Sequence, residues 1–312
     1  MESLLLSFGS IMPIFLLMLL GYLLKRFKVA DKYAFDSMNK LIFKVFLPTL
    51  LFYNIYKTDI GEVFNLKLII FTLVGIFCVF IISFFLVRLF TKDNAKRGVM
   101  LQGFFRSNYA ILGIPIIEYV CGENAGGLSS LMVAVVVPTF NILAVIALER
   151  YRDCNVSVLK LLKGIATNPL VIGCLLGAVF LALDISLPKF LENAVSDVAS
   201  IASPLAMVVL GASFAFKELG GSIRELTVTV VARLIAVPLI MLGIAVALGF
   251  RGEALACIMV AFGSPVAVSS FAMAQQMGAD EKLAAQIVVV SSCACLITLF
   301  GWVFVLSSFG LF

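Results

Sequence analysis

Residues 97–121 read RGVMLQGFFRSNYAILGIPIIEYVC. The stretch is long enough to cross a bilayer, which takes about 20 apolar residues, yet it carries Arg106, Asn108, Gly113 and Pro115 in its middle. Charged and amide side chains are costly in hydrocarbon, so both should face the protein interior or a watery cavity. Proline lacks an N–H and disfavours helical geometry in the residue before it. The stretch therefore predicts a broken membrane helix whose second half begins near Pro115, as in the binding sites of secondary transporters.

Long apolar runs dominate the rest of the chain. Of its 312 residues, 62% are hydrophobic and 13% are charged, whereas a soluble domain is about half apolar and a quarter charged. The basic residues punctuate loops and form no face with aromatic residues between them, which argues against nucleic-acid binding. There is no histidine and no Cys-x-x-Cys pair among the seven cysteines, so we predict no metal site and no cofactor. The composition is that of an all-α membrane protein.

Apolar segments of about 20 residues follow one another with short connections. Lysine and arginine concentrate in the loops after the odd-numbered segments, so the positive-inside rule places those loops in the cytoplasm and both termini outside. We predict ten transmembrane helices, at residues 5–24, 34–56, 66–89, 97–121, 127–149, 159–183, 191–215, 226–249, 253–278 and 284–308.

Proline and glycine positions repeat at half the length of the chain. Four pairs are separated by 156 residues, which is half of 312. Because each half holds five spans, the second half must enter the membrane from the other side. We therefore predict two inverted five-helix repeats, residues 1–156 and 157–312, with the binding site where they meet. The pairs are Pro13 and Pro169, Gly21 and Gly177, Pro48 and Pro204, and Gly122 and Gly278.

The repeat partner of the broken span is span nine, which reads AFGSPVAVSS at residues 261–270. Ser264 before Pro265 resembles a helix start, with a hydroxyl cap followed by proline at the first helical position, and Gly263 would supply a flexible turn. The alternative is an ordinary proline kink. With both spans broken, two helix amino termini would point at the midplane, where their N–H groups and positive dipole ends attract an anion. We predict that this site binds an organic carboxylate, with hydrogen bonds from Asn108 and Ser264.

Two arginines lie within apolar spans. Arg106 has two interpretations: it binds a carboxylate bidentately, or it satisfies the carbonyls at the end of the first half of span four. For Arg233 in span eight, snorkelling or pairing is expected. Small residues in spans six and seven, GCLLG at 173–177 and GAS at 211–213, predict close-packing faces between helices.

Four motifs of the sequence resemble those of a known family, the auxin efflux carriers in their bacterial form. The likeness covers essentially the whole chain, including its length close to 300 residues. This family, with malate- or malonate-type permeases in bacteria, falls within the bile-acid/arsenite/riboflavin transporter superfamily. The motifs that carry the resemblance are LPTLLFYNI at 47–55, RSNYAILGIP at 106–115, SPLA at 203–206 and GSP at 263–265.

The resemblance implies an NhaA-like fold, with ten helices in two inverted repeats and helices four and nine crossing at their prolines. It implies a scaffold domain of helices 1, 2, 6 and 7, a transport domain of helices 3–5 and 8–10, and a homodimer in the bacterial inner membrane. The family's crossover asparagine maps onto Asn108. Ser264 stands where plant carriers have asparagine, which argues against an auxin-like substrate. Tyr53 and Asn54 in span two and Asn141 in span five would be further site residues.

The leading hypothesis is an elevator-type carrier for a small carboxylate such as malate or malonate, with membrane lipid as its surroundings and with proton or sodium coupling left open. A sodium-coupled organic-anion symporter of the bile-acid carrier type is one alternative, and a membrane receptor without transport is another. An enzyme is not expected, because the chain lacks histidine and any Gly-x-Gly-Asp motif that an intramembrane protease would need.

Overall fold

The computed structural model describes residues 2–58, 65–122, 126–152, 163–214 and 221–312. Throughout these ranges the chain is helical, with a single isolated β-bridge and no strand, so the all-α prediction is confirmed. The helices are α1 (Glu2–Arg26), α2 (Lys32–Leu41, a π-helical turn Ile42–Phe46, then Leu47–Tyr56), α3 (Leu66–Phe90), α4a (Asn94–Phe105), α4b (Tyr109–Cys121), α5 (Gly126–Arg152), α6 (Pro169–Ala182), α7 (Lys189–Ser213), α8 (Ile223–Val231, a π-helical turn Ala232–Ala236, then Val237–Ala247), α9a (Gly252–Gly263), α9b (Ser269–Gln276) and α10 (Glu281–Ser308).

Several of these helices are membrane-spanning in length and composition. Among the described residues, five are long and apolar enough to cross a bilayer: α3, α5, α7, α8 and α10. Three shorter apolar helices, α4b, α6 and α9a, accompany them. Side chains on α3 such as Ile81, Phe85 and Leu89 are exposed, as expected for a helix whose outer face meets lipid hydrocarbon rather than water.

Local sequence explains where many helices begin. Backbone N–H groups in the first turn of a helix have no intrahelical acceptor, and a short polar side chain just before the helix supplies one. Proline suits the first helical position because it has no N–H to satisfy, and Pro169 occupies it in α6. The capping side chains that accept such a hydrogen bond are Asp31, Asn65, Asp93, Asn168 and Asp280.

Two helices widen into a π-helical turn directly ahead of a proline, α2 before Pro48 and α8 before Pro238. A proline inside a helix leaves the carbonyl four residues earlier without its partner and crowds it with the ring. A wider turn relieves this crowding at the cost of a local irregularity, and such turns are frequent at functional sites. The turn in α8 places Arg233 inside the protein.

Helices α1 and α7 pack closely along their length, and a glycine lies at two of the contacts. A Cβ atom on Gly21 would lie 1.8 Å from the carbonyl oxygen of Val208, and one on Gly211 would lie 1.9 Å from that of Met18. Both distances are far below any van der Waals contact, so only glycine permits this approach of backbone to backbone.

Helices α2 and α6 meet in the same way. A Cβ atom on Gly173 would lie 2.4 Å from the carbonyl oxygen of Pro48, and one on Gly177 would lie 2.8 Å from that of Phe52. The close-packing faces predicted at 173–177 and 211–213 are therefore confirmed.

We expect Gly211→Ala to destabilise the protein by about 1–3 kcal/mol, because the added methyl overpacks the contact of α7 with α1. Gly243→Ala is the matched control, since Gly243 is an exposed glycine of α8 at which a Cβ would meet nothing within 4 Å. That control should be neutral or up to about 1 kcal/mol more stable. The measurement is the apparent melting temperature of each purified variant in detergent. Equal melting temperatures for Gly211→Ala and the native protein would contradict the packing interpretation.

Candidate functional site

Helices four and nine are both interrupted, but not where the sequence predicted. The first halves end at Phe105 and Gly263, and the second halves begin at Tyr109 and Ser269. The predicted starts near Pro115 and Pro265 were therefore wrong. Pro115 lies inside α4b on an exposed face, where the lost hydrogen bond kinks a helix without ending it.

The two glycines predicted to loosen these breaks have other surroundings. Gly113 lies inside α4b, and a Cβ there would meet the ring of Tyr109 at 2.9 Å. Gly263 is the last residue of α9a and has no positive φ. The predicted flexible turn at Gly263 was wrong, because this glycine is helical and the chain leaves the helix at the next residue. The break expected beside Gly113 was wrong as well, because the helix continues through it to Cys121.

The interruptions lie against each other and pair through their backbones. Ser107 and Val266 form an antiparallel bridge, and the backbone N–H of Asn108 donates to the carbonyl oxygen of Pro265 at 2.9 Å. Arg106 and Ser264, which follow the first halves, are both extended. Non-helical backbone is tolerated at membrane depth only where it finds partners inside the protein. Each interruption supplies such partners to the other.

Arg233 holds the carboxyl ends of both first halves. Its guanidinium donates to the carbonyl oxygens of Phe105 at 3.1 Å, Ala261 at 2.9 Å and Ser264 at 2.9 Å, and the side chain is completely buried. A helix carboxyl end carries about half a negative charge, so two such ends together match one guanidinium. Of the two expectations for Arg233, snorkelling was wrong because the side chain is fully buried, and pairing was confirmed, with helix carbonyls as its partners.

Arg106 is buried on the other side of the pair, with an exposed fraction of 2%. Its Nη2 donates to Asn141 Oδ1 and to Ser269 Oγ, both at 2.7 Å, and its Nη1 contacts Met273 Sδ at 2.6 Å. The partners of Arg106 are side chains. Arg233, and not Arg106, binds the helix carbonyls. The contacts of Arg106 use three of the five guanidinium N–H groups. The ion pairs found among the described residues do not include Arg106.

A cavity of about 50 Å³ lies beside Arg106. It is bounded by residues at the start of both second halves, Asn108, Ala110 and Ile111 at α4b and Ala267 to Ser269 at α9b, so two helix amino termini meet there. On the scale where one enclosed water needs about 10–15 Å³, the cavity has room for a small acid. The lining residues are Leu47, Leu50, Leu51, Arg106, Ser107, Asn108, Ala110, Ile111, Val137, Phe140, Asn141, Ser203, Ala206, Ala267, Val268 and Ser269.

Two lining groups are buried without a hydrogen-bond partner among the described residues, Ser107 Oγ and Asn108 Nδ2. Asn108 precedes α4b, yet its side chain makes no capping bond to that helix. Buried polar groups without partners are rare and call for an explanation such as a bound molecule. Both groups belong to residues that line the same cavity as Arg106, which leaves hydrogen-bonding capacity unused around one small space.

Of the predicted site residues, Arg106, Asn108 and Asn141 come together at this cavity. Ser264 does not line the cavity. Its hydroxyl donates to the carbonyl oxygen of Val260 at 2.6 Å, within α9a, and the residue follows that helix instead of starting α9b. The predicted capping role of Ser264 was therefore wrong. The other predicted residues that lie outside the lining are Tyr53, Asn54, Gly113, Pro115, Gly263 and Pro265.

Sequence reasoning missed three polar residues of the lining, Ser107, Ser203 and Ser269, and the leucines from α2. Ser107 lies between two predicted site residues, so its position next to them was available as a signal. Ser269 could not be found in this way, since 163 residues separate it from its partner Arg106.

The fold and this site define a class of protein: a helical membrane protein with a small polar cavity enclosed at paired helix interruptions. A model of the membrane transport protein family matches residues 6–155 and again residues 149–303. The chain belongs to this family, which confirms the resemblance to the bacterial auxin efflux carriers, and the protein is a membrane transporter by family.

Curated relatives match over nearly their whole length. One is named "Putative malonate transporter", from Rhizobium meliloti, and is 25% identical over 320 residues, covering 96% of each chain. A second, an "Uncharacterized transporter" from Methanothermobacter thermautotrophicus, is 24% identical and covers 96% of this chain and 98% of its own. A third, "Uncharacterized transporter YfdV" from Escherichia coli, is 22% identical and covers 95% and 96%.

Proposed function

We propose that this protein is a secondary transporter for a small organic anion, a carboxylate, bound in the cavity between the two helix interruptions. The observation that carries the proposal is Arg106, a buried cation beside a cavity with no acidic partner among the described residues. A buried charge without a partner is strongly unfavourable, and intramembrane charges usually mark a substrate pathway. An anion in the cavity would neutralise Arg106 and satisfy Ser107 and Asn108.

The distribution of polar groups supports an elevator mechanism. The charged and amide groups of the lining belong to α5 and to the break in helix four, and Ser269 belongs to α9b. The facing wall comes from α2 and α7 and is formed by Leu47, Leu50, Leu51, Ser203 and Ala206. We propose that helices 3–5 and 8–10 carry the anion past this largely apolar wall, which offers few hydrogen bonds that would have to break during the movement.

The packing of α1, α2, α6 and α7 supports a scaffold domain and an inverted repeat. Gly21 of α1 contacts Val208 of α7, and Gly177 of α6 contacts Phe52 of α2. Gly21 and Gly177 are 156 residues apart, and so are Phe52 and Val208. A two-fold relation between residues 1–156 and 157–312 would exchange these two contacts. Glycine-mediated packing of this kind suits a rigid body that stays fixed in the membrane.

A polar contact joins the scaffold to α9b at one side of the cavity. Asn39 Nδ2 donates to Gln275 Oε1, and Gln275 Nε2 donates to Asp36 Oδ1 at 3.0 Å. The basic residues Lys25 and Lys32 line a second cavity beside Asp36 and Gln275, and basic loops favour the cytoplasm. We propose that this contact closes the cytoplasmic side and breaks when the transport domain moves, with both termini outside a bacterial inner membrane.

The test is the thermal stability of the purified protein against a panel of mono- and dicarboxylates, with and without sodium. A ligand that binds only the folded state raises the apparent melting temperature in proportion to its occupancy. We expect Asn108→Ala to weaken binding about 10- to 100-fold, the loss of one hydrogen bond to a charged group. Its side chain makes no helix cap, so folding should be little affected.

Ser264→Ala is the matched control, because its hydroxyl bonds within α9a and does not line the cavity. It should respond to the same acids at the same concentrations as the native protein. No stabilisation by any acid would overturn the proposed function, and equal loss of binding in both variants would place the anion elsewhere. Stabilisation only in the presence of sodium would favour the sodium-coupled symporter.

A further inference from the structure

The cavity has one polar wall and one apolar wall. Arg106, Ser107, Asn108, Asn141 and Ser269 form the polar wall, and Arg106 is the charged member of the lining in the part of the chain that the structure describes. The lining from α2 and α7 consists of Leu47, Leu50, Leu51, Ser203 and Ala206, and Ile111, Val137 and Phe140 add further apolar surface. A molecule held against Arg106 therefore extends towards hydrocarbon side chains.

We infer that this cavity binds a single ionised carboxylate, so that the transported species is a monoanion: a monocarboxylate, or a dicarboxylate carrying one proton. The inference rests on the proposed transport function and names the charge state of its substrate.

Electrostatics at the two walls supports this assignment. One carboxylate matches the formal charge of Arg106 and can accept from Ser107 and Asn108, and the amino ends of α4b and α9b add their positive dipole ends to the same wall. A second ionised carboxylate would lose its hydration against leucines, with no cation and only the hydroxyl of Ser203 as a side-chain donor from α2 and α7 among the described lining residues, which is strongly unfavourable. A neutral carboxyl group or an ester on that side avoids this penalty.

The second buried cation, Arg233, does not add to the positive charge available to a ligand in the cavity. Arg233 is outside the lining, and its guanidinium is bound to the carbonyls of Phe105, Ala261 and Ser264. Those carbonyls end α4a and α9a, so its charge is matched by the helix carboxyl ends. Among the described residues, the charge of Arg106 is therefore the one left for a ligand in this cavity.

Apart from Arg106, the ionisable groups on the described parts of the surrounding helices lie outside the lining of the cavity. Cys174 on α6 is buried, and its thiol is a small, weakly polar group. The others nearest to the lining along each helix are Lys44 and Tyr53 on α2, Tyr109 and Glu118 on α4b, Glu149 on α5 and Asp197 on α7. A pH effect on binding that comes from these protein groups would act on every acid alike.

The experiment compares malonate with monomethyl malonate, by calorimetric titration of the full-length protein in detergent at several pH values above the second pKa of malonic acid. The hemiester is a monoanion throughout this range, whereas the singly protonated fraction of malonate falls with pH. We expect the apparent affinity for malonate to fall about tenfold for each pH unit, while the affinity for the hemiester stays constant. The hemiester thereby controls for titration of the protein itself.

Each result is decisive. Malonate binding that is as independent of pH as hemiester binding, or malonate that binds more tightly than the hemiester at the highest pH, would overturn the monoanion inference and leave the transport proposal standing. Failure of every carboxylate to bind at any pH would instead overturn the proposed function, and the inference with it.

Discussion

Arg106→Gln is expected to abolish carboxylate binding while leaving the substrate-free protein at least as stable as the native one. Loss of a buried charged partner costs about 2–5 kcal/mol of binding free energy, which corresponds to about 30-fold to more than 1,000-fold in affinity. Stability should not fall, because the native side chain is a buried cation without an acidic partner among the described residues, and removing such a charge relieves a desolvation penalty. Binding is measured by thermal shift and uptake by reconstituted vesicles.

Arg106→Lys is the conservative control for this prediction. Lysine keeps the positive charge but lacks the planar fork that holds Asn141 and Ser269 and could engage a carboxylate at two points. We expect weakened binding that is still detectable, between the native protein and Arg106→Gln. If Arg106→Gln bound carboxylates as tightly as the native protein, or unfolded at a clearly lower temperature, Arg106 would be a structural residue and the anion site would be lost.

Arg233→Met should have the opposite signature, a large loss of stability. The change removes three charge-assisted hydrogen bonds and leaves the carbonyls of Phe105, Ala261 and Ser264 buried without these donors. Each such bond is worth about 1.5–3 kcal/mol, and after the desolvation of the guanidinium is set against them, we expect a net loss on the order of 4 kcal/mol. The measurement is denaturant or thermal unfolding in detergent.

The matched control is Arg251→Met. Arg251 also donates to main-chain carbonyls, those of Val246 and Phe250, but it is an exposed residue at the start of α9a, where water can replace it. We expect a loss below about 1 kcal/mol for this variant. Equal losses for the two arginines would show that Arg233 is no more important to the helix interruptions than a surface side chain.

Arg106 and Arg233 illustrate why sequence reasoning assigned the roles of the two buried arginines incorrectly. Each is a single cation within an apolar segment, so the hydropathy pattern allows each to lie in the protein interior or at its periphery. Which one contacts helix carbonyls depends on how α8 packs beside the ends of α4a and α9a. Because Phe105 and Arg233 are 128 residues apart, no local pattern relates them, and the capping role was weighed for Arg106 instead.

The positions of the breaks show a similar division. The sequence correctly placed interruptions within spans four and nine, since a polar cluster inside an apolar segment must be accommodated by irregular backbone or a cavity. It assigned their edges to Pro115 and Pro265, which are the local helix breakers. In the structure the edges lie at Phe105 and Gly263, because each extended segment is stabilised by hydrogen bonds to the other, and such pairing cannot be read from one segment alone.

Sequence by itself determined the all-helical membrane architecture, the family, the two interrupted spans, and Arg106, Asn108 and Asn141 as neighbours of one cavity. The architecture, the interrupted spans, Arg106 and Asn108 follow from local properties, since a bilayer requires long apolar helices and makes polar residues within them conspicuous. The family and Asn141 came from the resemblance of the motifs. Tertiary structure decided that Arg233 binds the two carboxyl ends, that Ser264 faces its own helix, and that leucines of α2 lie opposite Arg106. Each of these depends on which distant groups meet, and hydrogen bonds and packing select those partners only once the helices are assembled.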